Sequence, residues 1–370
     1  MSTSLAFLVF KKQLPHHKNL DSSADVVLFL SKYALNVNAR PSEPQFPMGN
    51  CSPKPKRQSR SSKTLVDTSL PPAQLHGSET SLIAWRIRVA LLYKRVPVEF
   101  IECGDDKPFL RCGSETVTGS EESFLRYIDN RYGGLPSVTT METEGRVMAA
   151  EVMVIQHRSI QQHVEGMAQW AAKLTVAGGD EWKGKAAEGR RMGKLYGELV
   201  EIMLEHAQME ERFIFPNLDR TADYDVCRTA NEQHGRHLPL MNGIKEDLKS
   251  LIAIDVGGPL YKEALLNLSL RFRTLQEHCK QHFQEEEREL LPLLEAAESV
   301  RRKEGEEPWP PNRWVQQMMD LMEQTHSRLF AFFASGLFPH EVLRYVGLVS
   351  GGDDQRAIAM LRSIAISINT

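Results

Sequence analysis

The chain has 370 residues, 41% hydrophobic and 25% charged, which is soluble-protein composition with room for two domains. Lys and Arg number 45 against 48 Asp and Glu, and the resulting net charge of −3 lacks the basic excess of a nucleic-acid binder. No apolar run approaches the ~18 residues of a membrane span, and five cysteines without a CxxC exclude a disulfide scaffold and a Cys-based zinc module.

Residues 1–70 are rich in Pro, Ser, Lys and Arg (RPSEPQFP, SPKPKRQSRSSK) and are predicted to be a disordered basic tail. The apolar stretch Leu5 to Phe10 is too short for a signal-peptide core and lacks a basic lead, so an intracellular, cytoplasmic protein is expected. Acidic residues before position 60 are only Asp21, Asp25 and Glu43, which leaves plastid targeting as an alternative. Within the tail, Met48-Gly49-Asn50-Cys51 precedes Lys54, Lys56 and Arg57. Were translation to begin at Met48, myristoylation of Gly49 and palmitoylation of Cys51 beside these cations would anchor the protein to a membrane.

Residues 71–136 change character. Ala73 to His76 reads as a strand, Ser81 to Tyr93 as an amphipathic helix and Pro97 to Glu102 as a strand. Phe109 to Cys112 and Glu115 to Val117 are short extended pieces before a helix from Glu121 to Arg131, giving the order β-α-β-β-β-α. The segment HGSETSLIAWRIRVALLYKRVPVEFIE (76–102) resembles the first β-α-β unit of glutathione transferases, which implies a thioredoxin-like fold. The resemblance implies that Ser81 stands where several classes place the hydroxyl that activates glutathione. Lys107-Pro108 stands at the place of the family's cis-proline. Only Cys103 to Lys107 separates the second strand from Pro108, so the family's second helix is missing. Its Glu-Ser pair is out of register, with Ser120-Glu121 and Glu122-Ser123 the nearest substitutes. A docking or scaffold role is therefore expected rather than glutathione chemistry; Ser81 and Pro108 would touch glutathione if it binds.

Over 140–300 apolar residues recur at three- and four-residue steps: Met153, Ile160, Val164 and Met167; Leu195, Leu199 and Ile202; Leu238, Met241, Ile244 and Leu248; Leu268, Phe272 and Leu275. Breaks fall at Gly178-Gly179, Asp219 to Asp225 and Gly257-Gly258-Pro259, so four long helices in an up-down bundle are expected. A helical extension, 308–370, starts near Asn312 after EEPWPPN and contains a buried helix segment, Leu329 to Phe338. The fold class is thus multidomain α+β: a small thioredoxin-like domain, a four-helix bundle and extra C-terminal helices.

The bundle contains an internal repeat. HAQMEERFIFPNL from His206 and HFQEEERELLPLL from His282 are identical at seven of thirteen positions, and each carries HxxxE with a proline six residues after the glutamate. Gln156-His157 lies 49 residues before His206, and Gln233-His234 lies 48 before His282, so two related hairpins share one plan. Positions i and i+4 share a helix face, which projects His206 with Glu210 and His282 with Glu286. His157 and His234 continue the apolar stripes of their own helices, so four imidazoles and two carboxylates point at the bundle axis. Burying them is costly unless a cation compensates, and imidazole with carboxylate suits iron or zinc. His163, six residues beyond His157, is about 120° further around the helix and should face away. In Glu285-Glu286-Glu287 only Glu286 has the ligand spacing, and the run is otherwise read as a solvated face.

This pattern resembles the hemerythrin-like (HHE cation-binding) family over roughly residues 145 to 300. The resemblance implies a non-haem di-iron centre, two iron ions, with His157, His206, Glu210, His234, His282 and Glu286 as ligands and the two glutamates bridging. Oxygen carriers of that family have a fifth histidine one turn along the third helix, where this chain has Leu238. His237 is one residue off that position and His278 one turn before His282; both are placed near the site as second-sphere groups. The six-ligand set is more similar to iron-sensing and iron-binding relatives. The expected function is binding or sensing of iron, dioxygen or nitric oxide rather than enzymatic turnover. A glutathione-dependent enzyme and a metal-free scaffold are the alternatives. A protein partner or a second copy could dock through the thioredoxin-like domain or the C-terminal helices.

Overall fold

The computed structural model describes residues 72–104, 107–138, 147–176, 185–218, 224–254, 256, 258–304 and 312–369. The basic tail with its Met48 motif, Gly178-Gly179 and most of the polar stretch after Leu218 lie outside the described residues.

The front of the chain is a four-stranded mixed sheet flanked by helices, in the order β2-β1-β3-β4. β1 (Ala73–Gly77) buries alternate residues, and β2 (Val98–Glu102) pairs with it in parallel, Leu75 opposite Phe100. A parallel pair needs a crossover, and α1 (Leu82–Tyr93) supplies it. β3 (Phe109–Cys112) pairs antiparallel to β1, and β4 (Glu115–Val117) antiparallel to β3. α2 (Glu121–Tyr132) completes the unit and packs on α1. This topology is compatible with the thioredoxin-like domain expected from the sequence.

The bundle consists of α3 (Met148–Val176), α4 (Lys185–Met209), α5 (Tyr224–Ala253) and α6 (Pro259–Glu285). α3 packs on α6, α6 on α5 and α5 on α4. α4 and α6 each pass through a wide π turn, Glu210–Ile214 and Glu286–Leu290, before resuming as Phe215–Leu218 and Leu291–Glu304. In each turn a backbone N–H reaches five residues back, Phe215 to Glu210 and Leu291 to Glu286. The next residue is Pro216 or Pro292. Proline has no N–H to donate and its ring crowds the carbonyl four residues back, so the wide turn forms where a regular helix is disfavoured. Both ligand-spaced glutamates thus stand at the mouth of a π turn, a common placement at functional sites.

The extension comprises α7 (Arg313–Leu321), α8 (Glu323–His326), α9 (Phe330–Ser335), α10 (Pro339–Ser350) and α11 (Asp354–Asn369). α10 lies against α3, and α11 lies against α1 of the front unit. The apolar run Leu329 to Phe338 is therefore not one helix segment as the sequence suggested. α9 ends after a turn and a half, and Pro339 opens α10. Gly336 stands at the break, where a Cβ would be 2.8 Å from the Ser159 carbonyl and 2.9 Å from the His163 ring. That close approach seats the extension on α3. It is reinforced by the paired bonds of Arg344 to the Glu151 carboxylate, both 2.7 Å. Glu205 adds a further tie, its buried carboxylate accepting from the N–H and hydroxyl of Thr325, both at 2.8 Å.

Candidate metal centre

Four helices bring the predicted side chains together. His157 comes from α3, His206 from α4, His234 from α5 and His282 from α6, while Glu210 and Glu286 stand where π turns begin. All six are at most 3% exposed. They fall into two overlapping groups able to hold a cation: His157, His206, Glu210 and Glu286; and His234, His282, Glu210 and Glu286. Within each group the donor atoms lie within 4.8 Å of one another.

The carboxylates are divided between the groups atom by atom. Glu210 Oε1 is 3.2 Å from His206 Nε2, and its Oε2 is 3.2 Å from His234 Nε2. Glu286 Oε2 is 3.5 Å from His157 Nε2, and its Oε1 is 3.4 Å from His282 Nε2. Each carboxylate therefore offers one oxygen to either side.

The remaining ring nitrogens are tied from outside. His157 Nδ1 lies 3.1 Å from Glu287 Oε1, and His234 Nδ1 lies 3.2 Å from Glu211 Oε1. His206 Nδ1 donates to Gln156 Oε1 at 3.0 Å, and His282 Nδ1 to Gln233 Oε1 at 2.7 Å. The two halves repeat this scheme. The residue before each upstream histidine holds the HxxxE histidine of the next helix, and the acid after each inward glutamate holds an upstream histidine. A proton held on Nδ1 leaves the inward-facing Nε2 as the nitrogen through which each neutral ring can bind a metal.

Inside this frame the polar atoms are not satisfied. His157 Nε2, His206 Nε2 and all four oxygens of Glu210 and Glu286 are buried without a hydrogen-bond partner. His234 Nε2 and His282 Nε2 face each other at 3.1 Å. Six orphaned buried atoms on four side chains aimed at one space are costly without a cation, and with one they form a donor set. The charges respond accordingly. Burial disfavours charge on His157, yet Glu210 and Glu287 overcome it and raise the ring to about 9. In the same way Glu210 and Glu211 raise His234 to about 10 against burial. Burial lowers His206, and with the charge of His234 it holds His282 well below its ordinary value. Glu286 is pushed up to about 8 by burial and by the charge of Glu210. Glu210 itself is held well below the carboxylate range, the nearby imidazoles outweighing its burial.

One side of the site is open. The repeats differ at their second position, Phe283 against Ala207. Phe283 stacks on His157 with ring centroids 4.3 Å apart. Ala207 and Phe283 both line a cavity of about 30 Å³, whose walls also include His206, His234, His237, His282 and apolar side chains such as Leu238 and Met241. That is room for a water or a diatomic molecule.

The other histidines take other places. His163 faces away as expected, stacked on Phe332 with its Nε2 2.9 Å from the Phe332 carbonyl. His237 is buried edge-on to His282 at 5.3 Å but belongs to neither cation group, and His278 meets only His237 of these rings, 6.0 Å away. Glu287 is exposed, as the reading of the acidic run as a solvated face expects, but it also holds His157 from across the bundle. Glu285 likewise accepts from Gln233 Nε2 at 2.5 Å. In the front unit Ser81 caps α1, its Oγ accepting from the Ala84 N–H at 3.3 Å. The cis geometry expected at Lys107-Pro108 is not found, because no cis peptide bond occurs among the described residues. Cys103, Cys112, Cys227 and Cys279 form no disulfide, and no described helix is long and apolar enough to cross a membrane.

A buried, duplicated His/Glu donor set inside a four-helix bundle defines a metal-binding helical protein. Residues 148–294 match the family described as hemerythrin HHE cation binding domain, so this stretch of the chain is a hemerythrin-type domain. Comparison with curated proteins finds no match, and neither does comparison with solved structures.

Proposed function

We propose that the chain binds two iron ions between its four helices and serves in binding or sensing iron, dioxygen or nitric oxide. His157 and His206 would hold one ion, His234 and His282 the other, and Glu210 and Glu286 would bridge them. The observation that carries this reading is the set of buried, unpartnered nitrogen and oxygen atoms facing one another. Imidazole with carboxylate is a donor set that suits iron. Bound iron would supply redox chemistry and coordination positions for a small ligand. The cavity beside His234 and His282, apolar apart from its histidines, is where a diatomic would meet it.

The chain's own groups do the rest. Glu287, Glu211, Gln156 and Gln233 orient the four rings, and Phe283 closes the His157 side against water. Leu238, where oxygen carriers have a histidine, keeps the donor set at six. The front unit acts as a scaffold: Tyr93 Oη donates to the Ala334 carbonyl at 2.8 Å, and Arg362 of α11 reaches Glu79 at 3.1 Å.

The test is to produce the full chain, measure metal per chain, and record absorption with and without oxygen or nitric oxide. Two irons per chain with oxo-bridge absorption support the reading. A folded protein that takes up no iron, and whose stability is unchanged by His206→Ala with His282→Ala, would sink it. Retention on glutathione resin would favour the enzyme alternative instead.

A further inference from the structure

A hydrogen-bond chain runs from the metal centre into the C-terminal extension, and its far end fixes its direction. That end is a backbone carbonyl, Met322 O, 2.7 Å from His326 Nδ1. A carbonyl only accepts, so Nδ1 carries the proton. The His326 ring is buried, and burial lowers it to about 4, so it is neutral and its Nε2 is a bare acceptor. Tyr345 Oη lies 2.6 Å from that nitrogen and must donate its single proton there. The phenol oxygen can then only accept, which turns the NH2 of Gln156 toward it at 3.1 Å. The amide carbonyl of Gln156 is left facing His206 Nδ1 at 3.0 Å. His206 therefore holds its proton on Nδ1 and presents a bare Nε2 to Glu210.

The other half of the bundle orients its glutamine differently. Gln233 Nε2 donates to Glu285, which lies on the same helix as His282 and needs nothing from the extension. The two cation positions are thus supported by unlike means, one from Tyr345, 189 residues beyond Gln156, and one from within the bundle.

We propose that Tyr345 and His326 are positioning residues: acting through Gln156, they fix the tautomer of His206, so the cation position at His157 and His206 depends on the docked extension, whereas the position at His234 and His282 does not. This rests on the metal-binding reading above. It makes the extension, itself packed against the front unit, a means by which a distant contact changes the affinity of one cation position alone.

The test uses the full-length protein with ¹⁵N-labelled histidine. Long-range ¹H–¹⁵N spectra of the metal-free form read the tautomer of His206, and a Zn²⁺ titration reads both positions. Tyr345→Phe keeps the ring and removes the oxygen. It should give a mixture of His206 tautomers and weaken one Zn²⁺ by about 10- to 100-fold, the usual scale for losing an outer-sphere partner, with the other unchanged. Phe330→Leu loosens packing beside both Tyr345 and His326, whose ring centroids are each 6.4 Å away, while removing no atom of the chain of bonds. It should leave the tautomer and both affinities as they are. An unchanged tautomer and two unchanged affinities in Tyr345→Phe would overturn the inference, as would equal losses in Phe330→Leu. Wild-type protein that takes no Zn²⁺ would overturn the metal reading instead, and the tautomer spectra would still judge the relay.

Discussion

The carboxylate of Glu287 lies 3.1 Å from Nδ1 of His157, reaching from α6 to α3. Glu211 stands in the same relation to His234 at 3.2 Å. An acceptor at Nδ1 raises the basicity of the opposite nitrogen and holds the ring in place. Glu287→Ala is expected to weaken one cation by about 10- to 100-fold and to leave the second less affected, with Glu211→Ala showing the reverse. Competition against chelators of graded affinity measures both. Equal weakening of both cations in each variant would contradict the pairing.

The shared carboxylates should behave otherwise. Each of Glu210 and Glu286 belongs to both cation groups, so its removal should lower occupancy at both positions, while His157→Ala should cost one. Metal counted per chain after dialysis separates the outcomes. Glu286→Gln should also leave the metal-free protein as stable as wild type, or more so, at pH 8 and above. Burial raises that carboxyl to about 8, and its ionisation there opposes folding.

Proton release follows from the raised histidines. In the metal-free protein at pH 7 both His157 and His234 carry a proton, being raised to about 9 and about 10. Cation binding must displace the extra proton of each ring and also that of Glu286, which is raised to about 8, so about three should be released at pH 7, and affinity should rise with pH toward 9. The same shifts bear on folding. Their stabilisation is fully present below the unfolded value of 6.5 and is lost as pH rises through 9 to 10. Metal-free protein should therefore lose thermal stability between about pH 6.5 and 10, and the loaded protein should not. Calorimetric titration in two buffers of different ionisation enthalpy counts the protons.

Ala207 lines the cavity beside His206, His234 and His282. Ala207→Leu should fill the cavity beside His234 and slow nitric oxide binding, seen by absorption, without reducing bound metal. Ala207 is 6% exposed within a packed bundle, so a stability loss of about 1–3 kcal/mol is expected alongside. Unaltered nitric oxide kinetics would show that ligands enter elsewhere.

Gly336→Ala tests the seating of the extension. The added methyl would meet the Ser159 carbonyl at 2.8 Å and the His163 ring at 2.9 Å. Backbone or ring must move, for an expected loss of about 1–3 kcal/mol in urea unfolding. A change within 0.5 kcal/mol would mean that the contact yields easily.

The inward His/Glu pairs were legible in the sequence because their spacing is local: i and i+4 share a face whatever the fold around them. The strands and helices of the front unit were legible for the same reason, with Phe109–Cys112 and Glu115–Val117 found as expected. What escaped was tertiary. Glu287 is exposed, as a solvated charge would be, and nothing in its own helix signals that it also meets His157 on another helix. The repeated prolines were visible at 216 and 292, but a wide turn before them is a matter of backbone hydrogen bonding that residue types do not spell out. Gln156 and Gln233 were visible as neighbours of the upstream histidines, yet the rings they hold belong to the next helix. The split of Leu329 to Phe338 falls at Gly336, before Pro339 opens the next helix, a boundary that hydrophobicity alone does not encode.

The division of each carboxylate between two positions has a mechanical consequence. One position draws on α3, α4 and α6, the other on α4, α5 and α6, so neither hairpin owns a complete set of donors. Cations held at these positions would therefore act as a clasp across the seam between the hairpins. A chain severed between α4 and α5 would still travel as one particle while loaded, and chelation would remove that bond between its pieces.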